Sequence, residues 1–232
     1  MLKMLAIVPA RGGSKRVPRK NLLPLHGRAL LQWTVAFAVS SKMFEAVVIS
    51  SDDAEITACG LDAGAVSFGL RPLALSHDMA TSVDVALYEL EQAEEKYGAF
   101  NYVALLQPTT PFRKYERLHD AVALLADHPD VPSVVGVSPV SAPPYHMFTL
   151  ADDHSVSPLF PDHLSTRTQD LPTTVEVNGS LYLVRADALR KRKSFYFDTS
   201  RAVLCDDPRE RVDIDTFEDF EAAKHLLDGT LA

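Results

Sequence analysis

Residues 5–21 read Leu5-Ala6-Ile7-Val8-Pro9-Ala10-Arg11-Gly12-Gly13-Ser14-Lys15-Arg16-Val17-Pro18-Arg19-Lys20-Asn21. The first part is a short apolar run, rich in branched side chains and bounded by Pro9, which predicts a buried strand. The eleven residues that follow, 11–21, contain two glycines, five cations and no acid. A loop this basic, directly after a strand, favours an anion that carries several charges.

The glycines and cations of this loop suit a phosphate ligand. Gly12 and Gly13 lack a Cβ atom, so the backbone can turn sharply and bring its N–H groups to phosphate oxygens. Arg11, Lys15 and Lys20 can supply charge, because a guanidinium grips two oxygens and an ammonium acts as a point charge. The spacing matches neither the Walker loop nor G-x-G-x-x-G. From these residues alone, a solvated basic loop is the alternative.

The whole chain is acidic, in contrast to this loop. It has 232 residues, a net charge of −8 at pH 7 and 47% hydrophobic residues, which allows one ordinary domain with a proper core. Because an acidic protein is a poor general nucleic-acid binder, we expect a small anionic ligand and no nucleic-acid partner. Cys59 and Cys205 match no metal spacing and form no disulfide framework. The sequence has no apolar run long enough to span a membrane, and its first apolar stretch is short for a signal peptide, so we expect a cytoplasmic protein without a membrane partner.

Apolar runs alternate with amphipathic stretches, which predicts an α/β fold with a mainly parallel sheet. Further strands are predicted at Ala46–Ser50 and at residues 65–68, 102–106, 133–138, 175–184 and 201–205. Helices are predicted at residues 28–41, 54–63, from 81 or 82 to 93, at Ala186–Arg192, and at the C-terminus from the cap Thr216 to Leu227. The proline-rich residues 139–172 contain β-like pieces at 145–150 and 156–160 and predict a hairpin excursion.

Three segments follow predicted strands directly, at residues 11–21, 51–53 and 107–113. Ligands of open α/β sheets bind at the carboxyl ends of the strands. We therefore expect these segments to line one crevice.

A pair of carboxylates, Asp213 and Asp215, precedes the last helix. In an extended segment, side-chain alternation puts both on one face and Ile214 on the other. Mg²⁺ commonly takes one or two carboxylates, several waters and the phosphates of its substrate, which this pair suits. The alternative from the residues alone is that Asp215 only helps to cap the helix.

Several motifs resemble those of the acylneuraminate cytidylyltransferases, also called CMP-sialic acid synthetases. The motif P-A-R-G-G-S-K-R-x-P-R-K-N at residues 9–21 is similar to the N-terminal signature of that family. The motif R-x-D-I-D-T at residues 211–216 resembles its metal-binding end motif, and L-L-Q-P-T-T-P at 105–111 differs from its usual L-L-Q-P-T-S-P at Thr110. The resemblance covers most of the chain. It implies a Rossmann-like three-layer fold of the nucleotide-diphospho-sugar transferase type, in one domain over residues 1–232 with a dimerisation excursion at about 139–172.

The resemblance also implies a reaction. CTP and an acidic nine-carbon sugar, a nonulosonic acid of the sialic type, would give a CMP-sugar and pyrophosphate by attack of the anomeric hydroxyl on the α-phosphate, in a homodimer that uses Mg²⁺. The residues implied in nucleotide binding are Ala10, Arg11, Gly12, Gly13, Asn21, Arg71, Ala80 and Ser82. Catalytic roles are implied for Arg11, Lys15 and Lys20, and metal binding for Asp213 and Asp215. The residues implied in sugar binding are Gln107, Arg167, Phe195 and Tyr196.

Three positions depart from the family pattern near the implied sugar site. His146 stands where members often have an aromatic residue, Thr168 replaces the second Arg of R-R-Q-D, and Glu176 stands where many members have Arg. Lost positive charge near a sugar carboxylate bears on substrate recognition, so these departures leave the identity of the sugar open. The alternatives are a cytidylyltransferase for the shorter acid sugar KDO and a non-catalytic module that binds CTP.

Overall fold

The structure is a computed structural model that describes residues 2–77 and 79–229. Its strands are β1 (Met4–Pro9), β2 (Pro24–Leu25), β3 (Arg28–Ala29), β4 (Ala46–Ser50), β5 (Tyr102–Leu105), β6 (Ser133–Pro139), β7 (Phe148–Leu150), β8 (Val156–Pro158), β9 (Val175–Arg185) and β10 (Arg201–Leu204). Its α-helices are α1 (Leu30–Ser41), α2 (Ala54–Asp62), α3 (Ser82–Tyr97), α4 (Tyr115–Asp127), α5 (Ala186–Arg192) and α6 (Phe217–Leu227).

Six of the strands form the central sheet, in the order β10-β6-β9-β5-β1-β4. Neighbouring strands are parallel except on both sides of β9, which is antiparallel to β5 and to β6. The direction of β9 follows from the excursion, because the chain leaves β6 at Pro139 and returns beside it at Val175. The prediction of a mainly parallel sheet is therefore confirmed, and β9 is the exception.

Helices cover both faces of this sheet. Side chains of β1 alternate between the faces: Ala6 and Val8 belong to one core cluster, whereas Leu5 and Ile7 belong to the other. The first cluster takes in apolar residues of α1, α2 and α4, and the second takes in residues of α3 and α5. A strand that is buried on both faces reads as a continuous apolar run, which is what residues 5–8 show.

A third, smaller core cluster fixes the C-terminal helix. Leu25 and Leu30 pack there with Phe220 and Ala223 of α6, around a fully buried Ile214. This packing holds residues 213–215 against the first part of the chain. The two ends of the sequence therefore meet beside the phosphate loop, the name used below for residues 11–21.

Two predicted elements differ from the structure. Residues 65–68 were predicted as a strand, but they contribute only one bridge, in which Val66 pairs with Val48 at the edge of β4. The chain bends away there, since the Ser67 hydroxyl accepts a hydrogen bond from the N–H of Gly69, whose φ of 122° suits glycine. The helix predicted at 28–41 begins at Leu30, because Arg28 and Ala29 pair with β2.

The hairpin excursion forms as a separate two-stranded sheet of β7 and β8. Its apolar side chains are exposed: Phe148 is 48% exposed, Leu150 69% and Val156 59%. Tyr145 contacts the rings of Phe160 and His163, which ties the base of the excursion together. Among all the described residues, no helix has the length and apolar character needed to cross a bilayer.

Candidate active site

A cleft of about 580 Å³ opens beside the carboxyl ends of β1 and β5. The crevice prediction holds for the phosphate loop and for the turn after β5, whereas residues 51–53 are not part of the lining. The cleft brings together ten of the predicted site residues: Arg11, Lys15, Lys20, Asn21, Arg71, Ala80, Ser82, Gln107, Asp213 and Asp215.

The remaining nucleotide residues, Ala10, Gly12 and Gly13, are not part of the cleft lining. Ala10 is buried, and its N–H donates to the Ser50 carbonyl at 2.9 Å, which extends the pairing of β1 with β4. The N–H of Gly12 donates to the Asp52 carboxylate at 2.9 Å. A Cβ atom at Gly12 would lie 3.1 Å from side-chain atoms of Asp53, so close packing explains the glycine there. A phosphate contact by these backbone groups stays a prediction.

The phosphate loop is held in place from both of its ends. Asn21 is buried, and its side-chain amide donates to the Arg11 carbonyl at 3.1 Å. Arg19 pairs with Asp53 and Glu55 at the start of α2. These contacts order the loop, so that Arg11, Lys15 and Lys20 occupy defined positions along the cleft.

Lys20 joins this loop to the acid pair. Its ammonium group donates to the Ile214 carbonyl at 2.7 Å and to the Asp215 carboxylate at 3.0 Å, and its side chain is only 12% exposed. Arg16 also contacts Asp215, at 2.6 Å, but its side chain is 67% exposed. The buried contact is therefore the one that fixes the geometry of the segment.

Asp213 and Asp215 lie in the cleft lining on either side of the buried Ile214, as the alternation predicts. The Ile214 N–H donates to the Thr109 carbonyl at 2.8 Å, which anchors the segment to the turn after β5. Desolvation at the cleft wall raises the pKa of Asp213, the neighbouring Asp215 adds to the rise, and a hydrogen bond with Thr109 opposes it.

This pair of carboxylates has the donor chemistry for a divalent cation. Repulsion from Asp215 adds to the desolvation that raises the pKa of Asp213, and a shared positive charge would stabilise both carboxylates. Among the residues that the structure describes, no cluster of three or more His, Cys, Asp or Glu side chains could hold a metal. Two carboxylates in a cleft lined by cations would suit a hard cation, such as Mg²⁺, that completes its shell with waters and substrate phosphates, and a metal here stays a prediction.

Arg71 forms the opposite wall of the cleft. Its side chain is 4% exposed, its Nε donates to the Ser76 hydroxyl at 3.3 Å, and its Nη2 lies 3.9 Å from Asp52. Burial lowers the pKa of Arg71, and the nearby carboxylates of Asp52 and Glu89 oppose that shift. A planar, buried donor of this kind suits the acceptor edge of a base.

Ser82 enters the same wall as the first residue of α3. The helix begins there because the Thr81 hydroxyl accepts from the N–H of Asp84, whose carboxylate in turn accepts from the N–H of Thr81. Ala80 lies just before this cap and also lines the cleft. The capping box thus places two predicted nucleotide residues beside Arg71.

The four predicted sugar residues are divided. Gln107 lines the cleft, and its amide oxygen would lie 2.7 Å from a Cβ atom at Gly179, so that glycine makes room for it. Arg167 is exposed on the excursion, and Tyr196 is 60% exposed. Phe195 is 5% exposed and packs in the core with its ring centroid 5.7 Å from that of Tyr182. None of these last three lines the cleft of a single chain.

Arg113 was predicted to line the crevice with the rest of residues 107–113, but it is not part of the cleft lining and instead shapes the turn after β5. Its guanidinium donates to the Gln107 carbonyl at 2.5 Å, to the Ser180 carbonyl at 2.7 Å and to the hydroxyls of Thr110 and Thr34. Desolvation lowers the pKa of Arg113 to about 9. Ser180 and Thr34 lie 67 and 79 residues away, so no local motif could have indicated this contact.

Comparison with known sequences gives consistent matches over most of the chain. A family model described as Cytidylyltransferase matches residues 5–230. The CMP-N,N'-diacetyllegionaminic acid synthase of Legionella pneumophila is 32% identical over 228 residues, which cover 98% of this chain and 97% of that protein. The N-acylneuraminate cytidylyltransferase of Escherichia coli O18:K1:H7 is 33% identical over 221 residues, which cover 95% of this chain and 51% of that protein.

A solved structure shares the fold. The structure of a CMP:2-keto-3-deoxy-manno-octonic acid synthetase, complexed with CTP, aligns with a TM-score of 0.74 and 17% identity. The alignment covers 99% of this chain and 100% of that one. At this level of identity the likeness concerns the fold alone, and it agrees with the layered, mostly parallel sheet described above.

Proposed function

Because the chain belongs to the cytidylyltransferase family, we propose that it joins CTP to a nonulosonic acid, giving a CMP-sugar and pyrophosphate. The family makes the chain a nucleotidyltransferase. The observation that carries the proposal is the cleft, in which cations of the phosphate loop lie beside the paired carboxylates Asp213 and Asp215. That combination suits a triphosphate whose charge is shared between side chains and a cation.

The proposed reaction is attack of the sugar's anomeric oxygen on the α-phosphorus of CTP. A bond forms between these two atoms, the bond from the α-phosphorus to the bridging oxygen of the β-phosphate breaks, and the hydroxyl proton is released. Charge grows on the departing pyrophosphate, so cations that contact it stabilise the transition state more than the ground state. Arg11, Lys15 and Lys20 line the cleft and take this role in the proposal.

Asp213 and Asp215 would hold Mg²⁺, which when bound polarises the phosphoryl oxygens. The chain's own contribution is the position of these carboxylates. Lys20 holds the segment through the Ile214 carbonyl, and Thr109 holds it through the Ile214 N–H. The buried Ile214 keeps both acids turned to the cleft.

We assign the cytosine ring of CTP to the wall formed by Arg71, Ala80 and Ser82. Cytosine presents acceptors at O2 and N3, whereas uracil carries a proton on N3. The buried guanidinium of Arg71 can donate to O2 and N3 of cytosine. Uracil, with a proton on N3, would leave polar groups of the site unpaired. This supports CTP as the nucleotide over UTP or ATP.

Relatives at the sequence level support a nine-carbon acid as the sugar. Both of the relatives described above are named for legionaminic or neuraminic acids, and each matches at least 95% of this chain. The likeness to the 2-keto-3-deoxy-manno-octonic acid synthetase concerns the fold alone, at 17% identity, so KDO is the second candidate. Thr168 and Glu176, which depart from the family pattern, lie in or beside the excursion and bear on which nonulosonic acid is used.

We place the protein in the cytoplasm as a homodimer. The exposed apolar side chains of the hairpin, Phe148, Leu150 and Val156, support a self-association surface. Arg167 of the excursion does not line the cleft of its own chain, in keeping with a sugar pocket completed by the other subunit. Cys59 and Cys205 are both free thiols, which suits a reducing compartment.

Pyrophosphate release tests the proposal. The purified protein is incubated with CTP, Mg²⁺ and, in turn, N-acetylneuraminic acid, diacetyllegionaminic acid and KDO, with no sugar as the control. We expect release with a nine-carbon acid and none without sugar. Release with KDO alone would replace the proposal by its second candidate, and CTP binding without any release would indicate a nucleotide-binding module.

A further inference from the structure

The turn after β4 lies between the phosphate loop and the wall that holds Arg71. One oxygen of Asp52 contacts both neighbours. Its Oδ1 accepts from the Gly12 N–H at 2.9 Å and lies 3.9 Å from Nη2 of Arg71. The Asp52 side chain is 22% exposed, so both contacts are partly shielded from water.

The same turn holds these neighbours by further contacts. The Arg71 N–H donates to the Ser51 carbonyl at 2.7 Å. Gly12 packs so closely on Asp53 that a Cβ atom would lie 3.1 Å from it. The turn itself is rigid, because the Ser51 hydroxyl accepts from the Asp53 N–H and the Asp53 carboxylate caps α2.

Two nearby anions favour the charged form of Arg71. Burial lowers the pKa of Arg71, and Asp52 is the largest of the influences that raise it again, followed by Glu89. Glu89 is 2% exposed and is not part of the cleft lining. Asp52 is an anion that reaches both Arg71 and the phosphate loop, through a single oxygen.

We propose that Asp52 is a positioning residue that couples the phosphate loop to the base pocket, so that triphosphate binding and base recognition depend on one carboxylate. The inference rests on the proposed use of CTP. With the Gly12 N–H held by Asp52, the loop keeps its distance from Arg71 fixed. A nucleotide of the correct base then places its phosphates on the loop cations without rearrangement.

Two ratios of dissociation constants, measured by titration calorimetry in Mg²⁺, test whether Asp52 couples the phosphate loop to the base pocket or affects only one of them. The UTP to CTP ratio reports base recognition, and the cytidine to CTP ratio reports the contribution of the phosphates. Arg71→Lys is expected to lower only the first ratio and Lys15→Ala only the second. Asp62→Asn, an exposed acid at the far end of α2, is the control for loss of charge.

Asp52→Ala is expected to lower both ratios, each by about fivefold, because it removes the loop anchor and the anion beside Arg71. Asp52→Asn keeps an oxygen that can accept from Gly12 but has no charge. It is therefore expected to lower the UTP to CTP ratio and to leave the cytidine to CTP ratio within about twofold of the wild-type value. If the alanine variant does not fold, the UTP to CTP ratio of Asp52→Asn still tests the proposal.

The coupling would be overturned if Asp52→Ala changed neither ratio or only one of them. It would also be overturned if the UTP to CTP ratio of Asp52→Asn equalled that of the wild type. A wild-type protein that binds CTP no better than UTP would instead contradict the proposed function. The two failures are thus distinguishable in one data set.

Discussion

Two cations contact Asp215, and we expect the more buried of them to contribute more to the catalytic rate. Lys20 is 12% exposed and also binds the Ile214 carbonyl, whereas Arg16 is 67% exposed. Lys20→Ala is expected to lower kcat by about 100-fold and to raise the Mg²⁺ concentration for half-maximal rate, since the acid segment loses its anchor. Arg16→Ala should change either value by less than about fivefold, as exposed ion pairs contribute little. Steady-state kinetics over a Mg²⁺ series measure both. If Lys20→Ala changed the KM for CTP and left kcat unchanged, the role of Lys20 in the catalytic step would be contradicted.

The acid pair gives a second prediction at this scale. Asp213→Ala and Asp215→Ala are each expected to reduce turnover at least about 100-fold while thermal unfolding stays cooperative, because the fold at this point depends on Ile214. Glu218→Gln, an exposed acid in the first turn of α6, is the matched control and should keep its activity. EDTA should silence the wild type. Full turnover by both alanine variants in Mg²⁺ would remove the pair from the site.

Single residues were predictable where a local pattern fixed them. The alternation around Ile214 predicted that both acids share a face, and the structure places both in the cleft. The Gly12 N–H was predicted to approach phosphate, yet it donates to Asp52, 40 residues away. No local pattern reports such a contact. For the same reason sequence could not separate Phe195, which is buried, from its exposed neighbour Tyr196.

Among the elements, the short 3₁₀ turn Pro208–Arg211 leads into the acid segment, and Asp207 caps it. Hydrogen bonds from Arg209 and Lys114 hold the pKa of Asp207 well below its ordinary value of 3.8. A carboxylate whose pKa is lower in the folded than in the unfolded protein stabilises the fold at pH values above its unfolded pKa. This contribution is lost as the pH falls through the folded pKa.

Asp207→Asn is therefore expected to lower the free energy of unfolding by about 1 kcal/mol at pH 7, since exposed partners limit the effect. The difference from the wild type should shrink as the pH falls below about 4. Urea unfolding at several pH values measures it, with the exposed Asp130→Asn as control. A difference that is the same at pH 7 and pH 3 would contradict the assignment.

Strands and helices with a strong local signal were predicted correctly, and the failures have physical causes. The run at residues 5–8 and Ala46–Ser50 are buried on both faces, so their apolar content alone identified them. Residues 65–68 also looked like a strand, but sheet pairing is a tertiary property, and only Val66 finds a partner. The antiparallel direction of β9 depends on where the excursion returns, which no periodicity encodes. No prediction covered α4, although its buried Leu118, Ala121 and Leu125 follow helical spacing.

For the whole molecule, the exposed hairpin predicts assembly. Light scattering at micromolar concentration is expected to give twice the chain mass of 25.5 kDa. Leu150→Asp should shift the protein toward the monomer, because Leu150 is 69% exposed on the hairpin and would be covered in a dimer. Leu61→Asp, at a site 47% exposed on α2, is the control that should stay dimeric. A fully active wild-type monomer would rule out a site shared between subunits.

The central claim is that the chain transfers CMP from CTP to an acid sugar, and ³¹P NMR of the reaction follows it directly. With CTP, Mg²⁺ and a nonulosonic acid, the α-phosphorus signal of CTP is expected to move to a phosphodiester position while pyrophosphate appears in equal amount. Neither change should occur without the sugar. Formation of CDP and phosphate, or of CMP and pyrophosphate in the absence of sugar, would contradict the account.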